Sequence, residues 1–232
     1  MSNAPKLRVL DLFSGIGGFS LGLERTGGFE TVAFCEIDPY CQAVLWKHWP
    51  DVPIFEDVRE LTTDDLGPID VICGGFPCQP FSTASRGRRV AVDLWPDMFA
   101  VVATIRPQFV VAENVAENPI KQAERDLCGL GYNVTIRRIS GADAGADHTR
   151  NRWWAVAHPH NESEFLRRIN AKVAELPSVC RGLWGAENYA RAVRVSDGIP
   201  YRMERFKCLG NAVVPQVVEI IGRTILEARR KT

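Results

Sequence analysis

The segment that most restricts this chain is Leu7-Arg8-Val9-Leu10-Asp11-Leu12-Phe13 running directly into Ser14-Gly15-Ile16-Gly17-Gly18. A near-continuous apolar run of this length reads as a strand buried on both faces, and the glycines after it demand a tight turn before a helix that extends to about Thr26. The pattern then repeats. Thr31 to Cys35 is a second apolar strand ending at Glu36, Asp38 and Pro39 supply an N-cap and a first-turn proline, and Pro50 closes the resulting helix. Ile69 to Cys73 and Phe109 to Ala112 are further apolar runs, each followed at once by a polar segment, and Trp153 to Ala157 is a later strand candidate. Strands alternating with helices predict an α/β fold with a mostly parallel, doubly wound sheet. Ligands bind such sheets at the carboxyl ends of the strands, so the segments after Phe13, Cys35, Cys73 and Ala112 should converge on one site.

Residues 158–205 break this pattern, being rich in Arg, Glu, Asn and Pro with weak periodicity. They are expected to form a small irregular lobe, while the apolar run Ala212 to Ile221 returns as a final helix on the sheet. The expected division is a main domain of residues 1–157 plus 206–232 and a lobe of 158–205, within the size range of one core and an appendage. The chain is 46% hydrophobic and 24% charged, and no apolar stretch approaches the roughly 20 residues that span a bilayer, so no membrane role is expected. There is no basic leader followed by an apolar core, which points to the cytoplasm. Seven cysteines, an odd number without zinc-type spacing, predict a reduced protein without metal, in which Cys35, Cys41, Cys73, Cys128, Cys180 and Cys208 are packing residues. The formal charge of zero conceals an asymmetry: residues 1–75 hold five Lys/Arg against twelve Asp/Glu, and residues 76–232 hold 23 against 16. A polyanion would therefore sit on the later part.

Gly15-x-Gly17-Gly18 after a strand lets a ligand approach backbone, and Glu36 at the end of the next strand is placed for ribose hydroxyls. The loop fails the dinucleotide fingerprint, because the last glycine of G-x-G-x-x-G falls at Ser20. Asp57, after Ile54-Phe55, is either an acceptor for an adenine amino group or a helix cap. The most informative stretch is Gly74-Gly75-Phe76-Pro77-Cys78-Gln79-Pro80-Phe81-Ser82, where glycines and prolines hold a cysteine on a rigid, exposed turn directly after a strand. That placement suits a nucleophile.

Five ordered segments carry a resemblance. Asp11-Leu12-Phe13-Ser14-Gly15-Ile16-Gly17-Gly18, Gly75-Phe76-Pro77-Cys78-Gln79-Pro80-Phe81-Ser82, Glu113-Asn114-Val115, Arg150-x-Arg152 and Gly210-Asn211-Ala212-Val213-Val214-Pro215 resemble the motifs of the C5-cytosine DNA methyltransferases, in order. The resemblance implies a Rossmann-like S-adenosylmethionine-dependent methyltransferase fold acting on double-stranded DNA as a monomer. It implies a cofactor site made by Asp11, Phe13, Gly15, Gly17, Gly18, Glu36, Ile37, Asp57, Val58, Phe76, Pro77, Asn211 and Ala212. Cys78 would attack carbon 6 of a cytosine flipped out of the duplex, activating carbon 5 for methylation, while Glu113 hydrogen-bonds N3. Arg150 and Arg152, on one face of an extended segment, would bind the base oxygen and a nearby phosphate.

A mobile loop from Thr83 to Asp93 would close on DNA through Ser82 at its root and Arg86, Arg88 and Arg89, and Arg194 and Arg205 of the lobe would contact nucleic acid. Two departures stand out. His148 occupies the place of a usual glutamine, and only residues 153–209 are available for target recognition. Compact members of this kind resemble those of phages and prophages, and the resemblance extends to restriction-modification methylases. The alternatives are a tRNA cytosine-5 methyltransferase, which would use the same catalytic residues, and a catalytically silent DNA-binding homologue that kept the fold. The full Gly-Phe-Pro-Cys-Gln-Pro-Phe-Ser stretch favours DNA over tRNA, and the intact Cys78, Glu113, Arg150 and Arg152 weigh against silence.

Overall fold

A computed structural model describes residues 5–62, 66–78, 93–144, 150–159, 165, 167–169, 171–172 and 202–229, with side chains from 207 onward in the last stretch. Seven strands, β1 (Leu7–Leu12), β2 (Phe29–Cys35), β3 (Ile54–Phe55), β4 (Val71–Gly75), β5 (Phe109–Asn114), β6 (Asn133–Ile139) and β7 (Arg152–His158), form one sheet ordered β3-β2-β1-β4-β5-β7-β6. The first five run parallel, as the alternating pattern predicts. β7 is antiparallel to both β5 and β6, so β6 runs parallel to β5 with β7 inserted between them. Sequence reading missed β6 because it is an edge strand whose Arg137 and Arg138 are exposed, leaving no apolar run to detect.

The chain winds from β1 outward through β2 to β3, then crosses to β4 and proceeds the other way through β5. The switch point is the β1/β4 pair, where Asp11 lies opposite Cys73 and Leu12 opposite Gly74. The turns after these two strands are thereby neighbours, and the turns after β2 and β5 flank them.

Both faces of the sheet are covered. Val9, Cys73 and Val111 pack with Phe19 and Leu23 of α1 (Gly18–Glu24) and with Val218, Ile221 and Ile225 of the C-terminal helix. Phe165 and Ile169 belong to this same cluster. Leu10, Leu12 and Ile72 pack on the other side with Trp95, Met98 and Val102 of α3 (Trp95–Ile105) and Ile120 and Leu127 of α4 (Glu117–Gly129). α2 (Pro39–His48) follows β2, and Asp38 caps it as expected, Tyr40 N donating to Oδ1 at 3.0 Å.

The expected final helix starts three residues after Ala212, at Pro215, and a separate helix precedes it. α5 (Arg202–Asn211) ends as Ala212 N donates to Cys208 O, and α6 (Pro215–Arg229) starts on the proline. Pro215 has no N–H to continue a helix but fits a first turn, which explains the break. α6 approaches α1 so closely that a Cβ on Gly22 would lie 2.5 Å from Pro215 O. Among the described residues, no helix is long and apolar enough to cross a membrane.

Candidate active site at the strand ends

At the end of β1 the backbone reverses through Phe13, whose φ of 53° is left-handed and rare for a residue with a side chain. Such a conformation costs on the order of 1–3 kcal/mol and concentrates at functional turns. Ser14 locks the reversal: its Oγ donates to Asp11 O at 2.6 Å and its N donates to Cys35 O at 3.2 Å. Glu36 ties this turn to the next one, with Oε2 accepting from Gly15 N at 2.6 Å and Oε1 from Asp38 N at 2.8 Å. Each carboxylate oxygen has a second lone pair, so Glu36 keeps capacity for a diol.

The three glycines of the loop differ. A Cβ on Gly17, where φ is 83°, would lie 2.6 Å from the Trp49 ring, and one on Gly18 would lie 2.9 Å from Val213. Both spaces are filled by protein. A Cβ on Gly15 would meet no atom of the described residues within 4 Å, so the approach for a ligand is there. The Val213 contact carries the Asn211-Ala212 segment to the turn, with Asn211 exposed and Ala212 half-buried. Ile37, directly after Glu36, is 65% exposed, an unusual state for a large aliphatic side chain, while Val58 and Phe76 are buried and Pro77 is exposed. These features, an open backbone turn, an acid with spare acceptors and an uncovered apolar side chain, suit a ligand carrying both a diol and a flat apolar ring.

Two of the expected cofactor residues are otherwise engaged. The Asp57 carboxylate is gripped by the Arg59 guanidinium, with Nε at 2.9 and 3.1 Å from its two oxygens, which holds it down to a pKa of about 2. An adenine amino group there has to share or displace an exposed arginine. Asp11 is wholly buried, its Oδ2 accepting from Ser20 Oγ at 2.7 Å and Ser20 N at 3.3 Å, and burial raises its pKa to about 7. No ligand reaches it, so any influence it has on one passes through the start of α1.

On the other side of the switch point, Glu113 stands opposite Gly75 in the β4/β5 register. Gly75 makes room for it, since a Cβ there would come within 2.9 Å of Glu113 Oε2. The next residue, Asn114, is buried and clamps the Cys78 turn: its Nδ2 donates to Phe76 O at 3.0 Å while its Oδ1 accepts from Ala116 N at 3.1 Å. Cys78, two residues beyond that clamp, is half-buried. The turn is pinned again where the chain returns, Leu94 N donating to Pro77 O at 3.1 Å and Asp93 Oδ1 capping Trp95 N at 3.0 Å. Burial and the nearby Asp93 carboxylate push the Cys78 thiol up, so nothing described here activates it yet.

Glu113 is 7% exposed, and burial raises its pKa to about 7 against the opposing pull of Arg152 and Arg150. Arg152 Nε lies 2.7 Å from Oε1, but its N–H is not aimed at that oxygen, which has no directional hydrogen bond. Arg150 is half-buried, and its Nε and Nη2 are also without hydrogen-bond partners among the described residues. The antiparallel β7 explains the convergence, because Trp154 pairs with Glu113 and Trp153 with Asn114, placing Arg152 just past the end of β5. Two half-buried cationic groups beside a buried carboxyl with unmet hydrogen-bonding capacity are costly in a folded chain and suit a polar ligand.

Residues 7–180 match the family model of the C-5 cytosine-specific DNA methylases. The chain belongs to that family. Among relatives, it is 35% identical over 166 residues to Type II methylase M.HgiEI of Herpetosiphon aurantiacus, covering 65% of this chain and 37% of that one. It is 32% identical over 181 residues to Type II methyltransferase M.FnuDI of Fusobacterium nucleatum, covering 74% of this chain and 50% of the other. The chain thus spans half or less of the length of these two methylases. A prophage-encoded E. coli protein described as a DNA modification methyltransferase superposes with a TM-score of 0.67 at 18% identity, covering 97% of this chain and all of that one. The S. pombe Dnmt2 methyltransferase superposes with a TM-score of 0.66 at 16% identity over 98% of this chain. At such identities these two establish the shared Rossmann-like fold.

Of the residues this family member was expected to use, Ser82, Arg86, Arg88, Arg89 and Arg194 lie outside the described residues, as does the side chain of Arg205. So does His148, and only Asp93 of the expected mobile loop is described. The Asn114 clamp escaped sequence reading, although its place next to Glu113 was a signal. Nothing in one dimension marked the left-handed Phe13.

Proposed function

We propose that this chain is a DNA cytosine-5 methyltransferase that uses S-adenosylmethionine and passes through a covalent bond between Cys78 and carbon 6 of a flipped-out cytosine. The observation that carries the reading is Glu113: a buried carboxyl, with a pKa raised to about 7, pinned through its neighbour Asn114 to the turn that presents Cys78. Family membership and the Type II methylase relatives support DNA as the substrate and methylation as the reaction.

Membership in a methylase family requires a methyl donor, and the rim formed by Gly15, Glu36 and Ile37 fits S-adenosylmethionine, Glu36 holding the ribose and Ile37 and Val58 flanking the adenine. Bound there, that donor supplies an electrophilic methyl group. Phe13 and Gly15 shape the approach by keeping the turn left-handed and uncovered, and Asp11 acts from behind by holding Ser20 at the start of α1.

Carbon 5 of cytosine is too weak a nucleophile to react unaided. The Cys78 thiol gives up its proton, the thiolate adds to carbon 6, and the electron pair of the 5,6 double bond becomes available at carbon 5. Glu113, protonated near neutral pH, donates to N3 and offsets the charge arriving on the ring. Arg152 and Arg150 hold the base oxygen and keep Glu113 oriented. Once carbon 5 is substituted, loss of its proton restores the double bond and releases the thiolate. Asn114 sets the separation of nucleophile and acid, because its bond to Phe76 O fixes the Cys78 turn to the end of β5.

The test is transfer of labelled methyl from S-adenosylmethionine to unmethylated duplex DNA, with tRNA and a Cys78→Ser chain in parallel. Label on DNA from the wild-type chain alone supports the proposal. Label on tRNA only, or equal labelling by Cys78→Ser, overturns it.

A further inference from the structure

Away from the strand-end chemistry, two thiols from distant parts of the chain meet. Cys41 lies in the first turn of α2 and Cys208 in the last turn of α5, 167 residues apart, and their Sγ atoms are 3.1 Å from each other. Each is only 5% exposed. A bare dithiol contact is not needed for packing, since any small apolar pair would fill the space. We propose that Cys41 and Cys208 are an oxidative modification site, forming a reversible disulfide that clasps α2 to α5.

Asp38 is the third polar group of this cluster, which gives the set the composition of a metal site. The geometry argues for the disulfide. Two thiolates on one tetrahedral zinc at about 2.3 Å stand roughly 3.8 Å apart, farther than these sulfurs, whereas closure to a covalent bond of about 2.05 Å needs only about 1 Å of approach. Asp38 is also committed elsewhere, Oδ1 accepting from Tyr40 N at 3.0 Å and Oδ2 from Lys207 Nζ at 2.7 Å.

With hydrogen peroxide as oxidant the chemistry balances. One thiol takes up an oxygen to become a sulfenic acid and water leaves; the second sulfur attacks the first, the S–O bond breaks, and a second water departs with the remaining proton. Two electrons pass from sulfur to peroxide. Burial pushes the Cys41 thiol up, so the closed pair reacts slowly, and reaction follows opening of the last turn of α5 past the exposed Lys207–Asp38 pair. The disulfide would close one edge of the strand-end site, because α2 follows Glu36 and Ile37 and α5 leads into Ala212. The proposal does not depend on the methyl-transfer reading.

The experiment treats the reduced full chain with hydrogen peroxide, alkylates remaining thiols under denaturing conditions, and maps peptides without reductant. A crosslinked peptide joining Cys41 to Cys208, lost on reduction, is expected, with the accessible thiols falling from seven to five. Tm should rise by roughly 5–10 °C on oxidation, from the long loop closed, and a Cys208→Ser chain should show no such rise. Recovery of Cys41 and Cys208 as free thiols while Cys78 or Cys128 is oxidised overturns the proposal, as does pairing of either with another cysteine. Stoichiometric protection of the reduced pair by zinc, without any crosslink in metal-free protein, overturns it in favour of a metal site.

Discussion

Asp11 and Glu113 are two buried carboxylates on strands that flank β4, one opposite Cys73 and the other opposite Gly75. Burial raises both pKa values to about 7. Each also has one oxygen without a hydrogen-bond partner among the described residues, but the rest of their surroundings differ. Asp11 is enclosed, with Ser20 donating to Oδ2 through both its backbone and its hydroxyl. Glu113 keeps a small opening and faces two arginines. A raised pKa therefore reports exclusion of water and nothing more; access and facing cations separate a candidate acid from a structural one.

The sharpest way to break this contrast is to neutralise each carboxyl in turn. Glu113→Gln is expected to lower single-turnover methyl transfer by about a thousandfold while leaving the fold intact, and Asp11→Asn to leave transfer within about threefold. Equal losses in the two chains would mean that Asp11 serves the chemistry as directly as Glu113.

A second, smaller effect separates stability from activity. Between the ordinary carboxylate range and pH 7, each group holds a proton in the folded chain that it has released in the unfolded one. Folding stability therefore falls as pH rises through that window, by up to about 4 kcal/mol for each group. Urea unfolding at pH 5 and pH 8 measures the difference. Each of the two amide substitutions should remove its own share of the slope, and a slope unchanged in Asp11→Asn would show that this carboxylate is not buried in solution.

The smallest expected effect lies in two adjacent glycines. A Cβ on Gly74 would press to 2.8 Å on Leu12 O, an immovable backbone atom, whereas one on Gly75 meets only the movable end of Glu113. Gly74→Ala should cost about 1–3 kcal/mol in thermal unfolding, and Gly75→Ala about tenfold in transfer rate with little change in Tm. Reversed outcomes would misplace the Glu113 carboxyl.

The parts of the fold legible in sequence were those under the strongest burial. Leu7–Leu12 and Phe109–Asn114 are covered on both faces, so most of their residues are apolar, and the turns that follow them were placed with them. β6 was illegible because an exposed edge tolerates arginines, and its absence from the sequence reading also hid that β7 runs antiparallel. At the site, the positions of Cys78 after β4 and of Glu113 at the end of β5 could be read from the order of apolar runs. The engagement of Asp57 by Arg59, the filling of the space beside Gly17 and Gly18, and the Asn114 clamp could not, since each depends on a side chain from another turn or strand.

By itself, the sequence determined that strands and helices alternate and that the segments after β1, β2, β4 and β5 meet at one end of a sheet, because periodicity and turn chemistry are local properties. Tertiary structure decided which acid is sealed and which is open, which glycine leaves room, and that Cys41 lies against Cys208. Exclusion of water, and contact between residues far apart in the chain, exist only once the layers have packed.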